Sequence, residues 1–192
     1  MAQKPQTLEE LEAWVASHDD HGKINGQPVI KPGTVELRSA MIPGNLYDEA
    51  LLIGAAFSFT KSDLGTHALF QLLASPITEL MKDGLIELAT QESKTEFRAY
   101  IPSRLYDLAM ATKEELSLNN SQLMTLALSL FVSDLGVRRV YSRFLVQVSE
   151  SSGLSPSEIE QKIFDCRRYE ARVKRLELSR QRGEFVTDRK LS

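Results

Sequence analysis

"FRAYIPSRLYD" spans Phe97 to Asp107, and "RSAMIPGNLYD" spans Arg38 to Asp48. The phrase Ile-Pro-x-x-Leu-Tyr-Asp is thus written twice, fifty-nine residues apart. Laying residues 99–132 over 40–73 without a gap gives 13 identities in 34 positions. Unrelated segments of ordinary composition would share roughly two. The matches include Pro43/Pro102, Tyr47/Tyr106, Asp48/Asp107, Ser58/Ser117, Ser62/Ser121 and Leu64/Leu123. Identity of this density identifies a duplicated structural unit.

The second copy defines the unit. Phe97, Ala99 and Ile101 alternate with Glu96, Arg98 and Tyr100, the period-two pattern of a half-buried strand. Pro102 ends it, because proline cannot donate to a strand ladder and pre-sets the first turn of a helix. Leu105, Leu108, Ala109 and Thr112 then recur at helical spacing. "SLNNSQ" interrupts with residues that favour turns and caps. A second helix carries Leu123, Leu126, Ala127, Leu130 and Phe131 on one stripe and is expected to end before Gly136. The first copy reads as a strand over 34–42, a helix over 45–56, a break at "SFTKSD" and a helix carrying Leu64, Ala68, Leu69 and Leu72. Its strand has a phase problem, since ungapped pairing turns Arg38 inward. A shift that matches Glu36-Leu37-Arg38 to Glu96-Phe97-Arg98 requires a bulge near Ser39 to Met41. The bulge is expected, because burying a lone arginine is costly.

The 192 residues are 42% hydrophobic, enough for a packed core in one or two domains. No apolar run is long enough for a membrane helix. "MAQKPQTLEELEAW" lacks the layout of a signal peptide, so a cytoplasmic location is expected. Cys166 is the only cysteine, which excludes an internal disulfide and a cysteine-based metal cage. The net charge of −3 hides an asymmetry. Residues 1–135 hold 10 Lys/Arg against 18 Asp/Glu, whereas residues 136–192 hold 13 against 8. The body is acidic and the C-terminal portion basic, and binding follows local patches rather than the mean.

Strand, helix, capped turn and helix, with a proline at the strand-helix junction, resembles the ribbon-helix-helix family of DNA-binding proteins. The resemblance covers residues 34–74 and 94–133. Family members fold as intertwined dimers around a two-stranded antiparallel ribbon. A chain with two units is similar to the tandem single-chain members found among conjugation and plasmid accessory proteins. The implied fold is mainly α with one short antiparallel β-ribbon. An N-terminal helical arm and turn (1–33) would precede the first unit (34–84). A linker (85–93), the second unit (94–135) and a basic helical extension (136–192) would follow. The implied function is sequence-specific binding of double-stranded DNA, as a transcriptional regulator or repressor, or as a plasmid or mobile-element accessory protein.

A two-stranded ribbon fits the DNA major groove. Its outward residues, Glu96, Arg98 and Tyr100 in one copy and Arg38 in the other, are the candidate base contacts. Arg98 is the best reader, because its fork can bond guanine O6 and N7 together. The resemblance also sets the start of each second helix against a phosphate, which nominates Thr60, Lys61, Ser62, Asn119, Asn120 and Ser121. Ser, Thr and Asn at a helix start serve equally as ordinary N-caps. Arg167, Arg168, Arg172, Lys174 and Arg175 lie on a predicted helix that starts at Ser155 with Pro156 and Glu158. They could follow phosphates, or face solvent on a docking helix. Thr7 and Glu10 have capping-box spacing, and Leu8, Leu11, Trp14 and Val15 form an apolar stripe that packs on the body or on a second subunit. "HDDH" (18–21) reads as a solvated helix end rather than a metal site. "NGQP" (25–28) reads as a turn. No catalytic constellation, cofactor motif or phosphate loop is present, so an enzyme is not expected.

Two rivals remain. Residues 45–100 also resemble a winged helix, with helices over 45–83 and a wing over 85–100. That reading gives no reason for the repeat. A second rival is a protein-interaction adaptor or antitoxin-like inhibitor, favoured by acidic residues such as Asp63, Glu96, Glu114 and Glu115 near the proposed DNA face.

Overall fold

The computed structural model describes residues 4–19, 23–24, 27–28, 33–75 and 94–165. Over them the chain is mostly helical, with a small antiparallel β component. Helix α1 (Leu8–Asp19) is followed by β1 (Lys23–Ile24) and β2 (Gln27–Pro28), which pair with each other. Next come β3 (Thr34–Pro43), α2 (Gly44–Ala56) and α3 (Lys61–Ala74). The order is then repeated by β4 (Lys94–Pro102), α4 (Ser103–Glu115) and α5 (Asn120–Ser133). Helix α6 (Leu135–Ser152) and a helical stretch, α7, over 156–165 complete the described chain.

β3 and β4 pair antiparallel, with Thr34 opposite Pro102 and Pro43 opposite Lys94. The register slips by one residue between Leu37 and Ala40, so that Arg38 and Ser39 together face Arg98. Such a two-against-one pairing is a β-bulge. It restores the phase of the strand, for Leu37, Ala40 and Ile42 are all buried beside Phe97, Ala99 and Ile101. The slip lies one residue earlier than the Ser39–Met41 expectation. Ala40 (buried) and Met41 (exposed) already alternate correctly, so the extra residue must fall before them. The winged-helix expectation kept 94–100 apart from 34–42, whereas β4 runs beside β3 along its length. Residues 85–93, its other proposed wing strand, lie outside the described residues.

The duplication is visible in backbone geometry. Pro43 (φ −54°, ψ 133°) and Pro102 (φ −52°, ψ 131°) turn their strands into α2 and α4 in the same way. Ser58 and Ser117 both take left-handed conformations, with φ of 57° and 55°. At the first, Phe59 N–H donates to Gly54 O and Ser58 N–H to Ala55 O. At the second, Leu118 N–H donates to Lys113 O and Ser117 N–H to Glu114 O. This is one helix-ending motif, used twice to satisfy the last carbonyls of a helix.

Each second helix packs on the strand of the other unit, α3 on β4 and α5 on β3, and the two helices pack on each other. Gly65 lets α3 approach closely. A Cβ there would lie 3.1 Å from Ala99 Cβ and 3.2 Å from both Ile101 Cδ1 and Phe97 Cε1. On the other side, α2 buries Tyr47 and everything from Ala50 to Ala56. It contacts α1, which buries Leu11, Trp14 and Val15, and α6, which buries Tyr141, Phe144, Leu145 and Val148. An ion pair joins Arg138 of α6 to Glu49 of α2. Its counterpart α4 buries only Ala109. Helix α5 ends at Ser133, short of Gly136, because Asp134 caps a new helix by accepting from Val137 N–H at 2.8 Å.

Gly65→Val is therefore expected to destabilise the fold by about 1–3 kcal/mol through overpacking. Gly54→Ala, whose added methyl would meet only ordinary contacts at 3.8 Å and beyond, should stabilise it by about 0.5–1 kcal/mol through helix propensity. Urea unfolding midpoints of both variants measure the contrast.

Candidate nucleic-acid interface

Because side chains alternate across a strand, burying the inner set of β3 and β4 leaves an outer set on one surface. Glu36 lies opposite Tyr100, and Met41 opposite Glu96, with Arg98 across from the bulge. Met41 is 38% exposed. The two strands together carry Arg38, Lys94 and Arg98 against Glu36 and Glu96. A locally cationic ribbon thus sits on an acidic body. The backbone of Arg38 belongs to the bulge, while its side chain lies outside what the structure describes.

Arg98 and Glu96 form one unit. Arg98 Nε donates to Glu96 Oε1 at 2.9 Å, and Nη2 donates to Oε2 at 3.0 Å. The side chains remain 49% and 42% exposed, so the pair is on the surface. The hydrogen bond and charge of Glu96, with smaller contributions from Glu36 and Tyr100, hold the guanidinium above its ordinary pKa. Arg98 is a permanent cation.

The starts of α3 and α5 are built alike but charged differently. Thr60 Oγ1 accepts from Asp63 N–H at 3.2 Å, and the Asp63 carboxylate accepts from Thr60 N–H at 3.0 Å. Asn119 Oδ1 accepts from Gln122 N–H, and Gln122 Oε1 accepts from Asn119 N–H, both at 2.9 Å. Both are capping boxes. At α3 a carboxylate already lies on the positive end of the helix dipole, where an anion would bind; at α5 the cap is neutral. Lys113, which the sequence reading passed over, donates to Asn120 Oδ1 at 3.3 Å and brings a cation to that end. Its position in the last turn of a helix was the available signal. Lys61 is 9% exposed, with Nζ 5.3 Å from the centroid of the Tyr47 ring. It is folded against the body instead of standing in solvent.

Ser62 and Ser121 tie the helices to the ribbon. Ser62 Oγ accepts from Tyr100 N–H at 3.0 Å, and Ser121 Oγ accepts from Met41 N–H at 2.9 Å. Tyr100 and Met41 are counterparts in the repeat, so each unit's helix holds the other unit's strand at the same point. The identity of the two serines was the signal for this role.

No family model, curated protein or solved structure matches this chain.

Of the nominated residues, Glu96, Arg98 and Tyr100 share the ribbon's outer face, while Thr60, Ser62, Asn119, Asn120 and Ser121 gather at the two helix starts. Arg167, Arg168, Arg172, Lys174 and Arg175 lie outside the described residues. Only the backbone of His18 and Asp19 is described in the "HDDH" run, at the end of α1. Among the described residues no His, Cys, Asp and Glu cluster could hold a metal ion, and no helix is long and apolar enough to cross a membrane.

Removing either tether should cost about 0.5–1.5 kcal/mol and act locally. Ser121→Ala is expected to speed amide hydrogen exchange at Met41, and Ser62→Ala at Tyr100. Unchanged exchange at those two amides would rule out the tethering role.

Proposed function

We propose that this chain is a tandem, single-chain ribbon-helix-helix protein that binds double-stranded DNA in a sequence-specific way. The observation that carries the reading is the pairing of β3 with β4, each backed by the other unit's second helix, with a polar, arginine-bearing face left outward. A two-stranded ribbon of this width enters the major groove, where base edges carry a distinct donor and acceptor pattern. In this reading Arg98 reads a guanine, and Tyr100 and Met41 contact neighbouring bases. The start of α5, with Asn119, Asn120 and Lys113 nearby, sets the positive end of its helix dipole against a phosphate. The start of α3, closed by Asp63, is the weaker phosphate site. The strands differ in sequence and in the bulge, so the preferred DNA site is asymmetric rather than palindromic. A transcriptional regulator or a plasmid or mobile-element accessory protein is the class of role such a reader serves.

The acidic residues on and beside this face, Glu36, Glu96 and Asp63, favour the adaptor as the second reading. Salt-titrated gel shifts on DNA selected from a random pool separate the two. The DNA reader loses affinity steeply as salt rises, and an adaptor binds no DNA even at low salt. Arg98→Ala is expected to weaken binding to the selected site by roughly 1–3 kcal/mol. Undiminished binding by that variant would remove the ribbon from the interface.

A further inference from the structure

We infer that Glu96 is a positioning residue: it grips the Arg98 guanidinium along its Nε edge and turns the opposite, Nη1–Nη2 edge outward to meet one guanine. The inference rests on the DNA-reading proposal and deepens it. A guanidinium carries five N–H donors in a rigid planar fork. The Glu96 carboxylate takes the Nε donor at 2.9 Å and an Nη2 donor at 3.0 Å, so both of its oxygens are engaged. Among the described residues no other side chain holds Arg98. What remains free is the end of the fork, where Nη1 and Nη2 present two parallel N–H groups. That edge matches the O6 and N7 acceptors of guanine in the major groove.

The backbone supports this arrangement. Glu96 and Arg98 are two residues apart on β4, the strand that carries no extra residue at the bulge, and both are exposed on either side of the buried Phe97, so they project from the same face. Tyr100, two further on, has its amide tied to Ser62, which steadies the strand at that point. The matching Glu36-x-Arg38 of β3 ends in the two-residue side of the bulge, where the alternation of that strand is broken. The guanine preference is therefore assigned to β4 alone.

The arrangement has opposite effects on two quantities. Fixing the long arginine side chain before binding removes an ordering cost at the base contact. The same carboxylate repels phosphates and weakens binding to any DNA. Glu96 thus lowers non-specific affinity while raising discrimination, which an acid that merely solvates the surface would not do.

The test starts from a site selected by the parent protein from random DNA. Affinities are then measured for all four bases at each position, with the parent, Arg98→Ala, Glu96→Ala and Glu96→Gln. Arg98→Ala is expected to remove a guanine preference of roughly 5- to 100-fold at one position. Glu96→Ala should reduce the preference at that same position by roughly two- to tenfold, while tightening binding to unselected DNA. Glu96→Gln, which keeps an acceptor for Nε, should retain more of the preference than Glu96→Ala. Urea midpoints should stay with the parent in all three, since both side chains are on the surface. The inference is overturned if Glu96→Ala keeps the full guanine preference. It is also overturned if that variant loses a preference at a different position, because Glu96 would then read a base itself. A parent that selects no motif at all sinks the DNA-reading proposal, and the inference with it.

Discussion

A ribbon with one face to hide organises this molecule. Among the described residues β3 and β4 have only each other as ladder partners, and Leu37, Ala40, Ile42, Phe97, Ala99 and Ile101 are all essentially inaccessible. An isolated pair of strands is marginal in water until something covers its apolar face. Here each strand is covered by the second helix of the other unit, so neither unit can complete its own core. The positions kept identical in both copies are where each unit solves the same local problem. Pro43 and Pro102 turn strand into helix, Ser58 and Ser117 end a helix left-handed, and Ser62 and Ser121 bond across to the opposite strand.

The symmetry stops at the first helices. Helix α2 is apolar around most of its circumference, "LLIGAA" being buried throughout, because α1 and α6 lie over the side that the ribbon core does not use. Among the described residues helix α4 has nothing comparable over it, and it ends in "TKEE" with Leu108 exposed. Composition here follows coverage, since a helix that is apolar all round must be buried and an uncovered one must carry a polar face. The cover is itself fastened by polar pairs. Tyr141 donates to Glu160 at 2.8 Å, Lys162 pairs with Glu12 at 3.6 Å, and Lys4 lies over the ring of Phe144.

The ribbon was largely legible because its constraints are local. Alternation marked the buried face, the prolines marked its ends, and the misplaced Arg38 announced a bulge to within one residue. The roles of Ser62, Ser121 and Lys61 were not legible in the same way. Each looks like an ordinary residue at a helix start, yet the amides that Ser62 and Ser121 serve lie 38 and 80 residues away in the chain. Lys61 reads as a solvent-facing cation until α2 brings the Tyr47 ring beneath it. Glu96 and Arg98 could be placed on one face from spacing alone. Their bidentate pairing depends on side-chain rotamers, which spacing does not specify.

An acidic chain that reads DNA is not a contradiction once affinity and discrimination are separated. Non-specific binding is almost wholly electrostatic and grows with every phosphate a cation neutralises. Discrimination comes from a few well-oriented contacts to base edges. On the DNA-reading proposal, Glu36, Glu96 and Asp63 beside the ribbon face lower the first term at every site on the DNA. The contact made by Arg98 adds to the second only where the base is right. What matters among many competing sites is the ratio of specific to non-specific affinity. A repulsion felt equally at every site leaves that ratio unchanged, so on this proposal the carboxylate that raises it is the one that also holds the reading arginine in place.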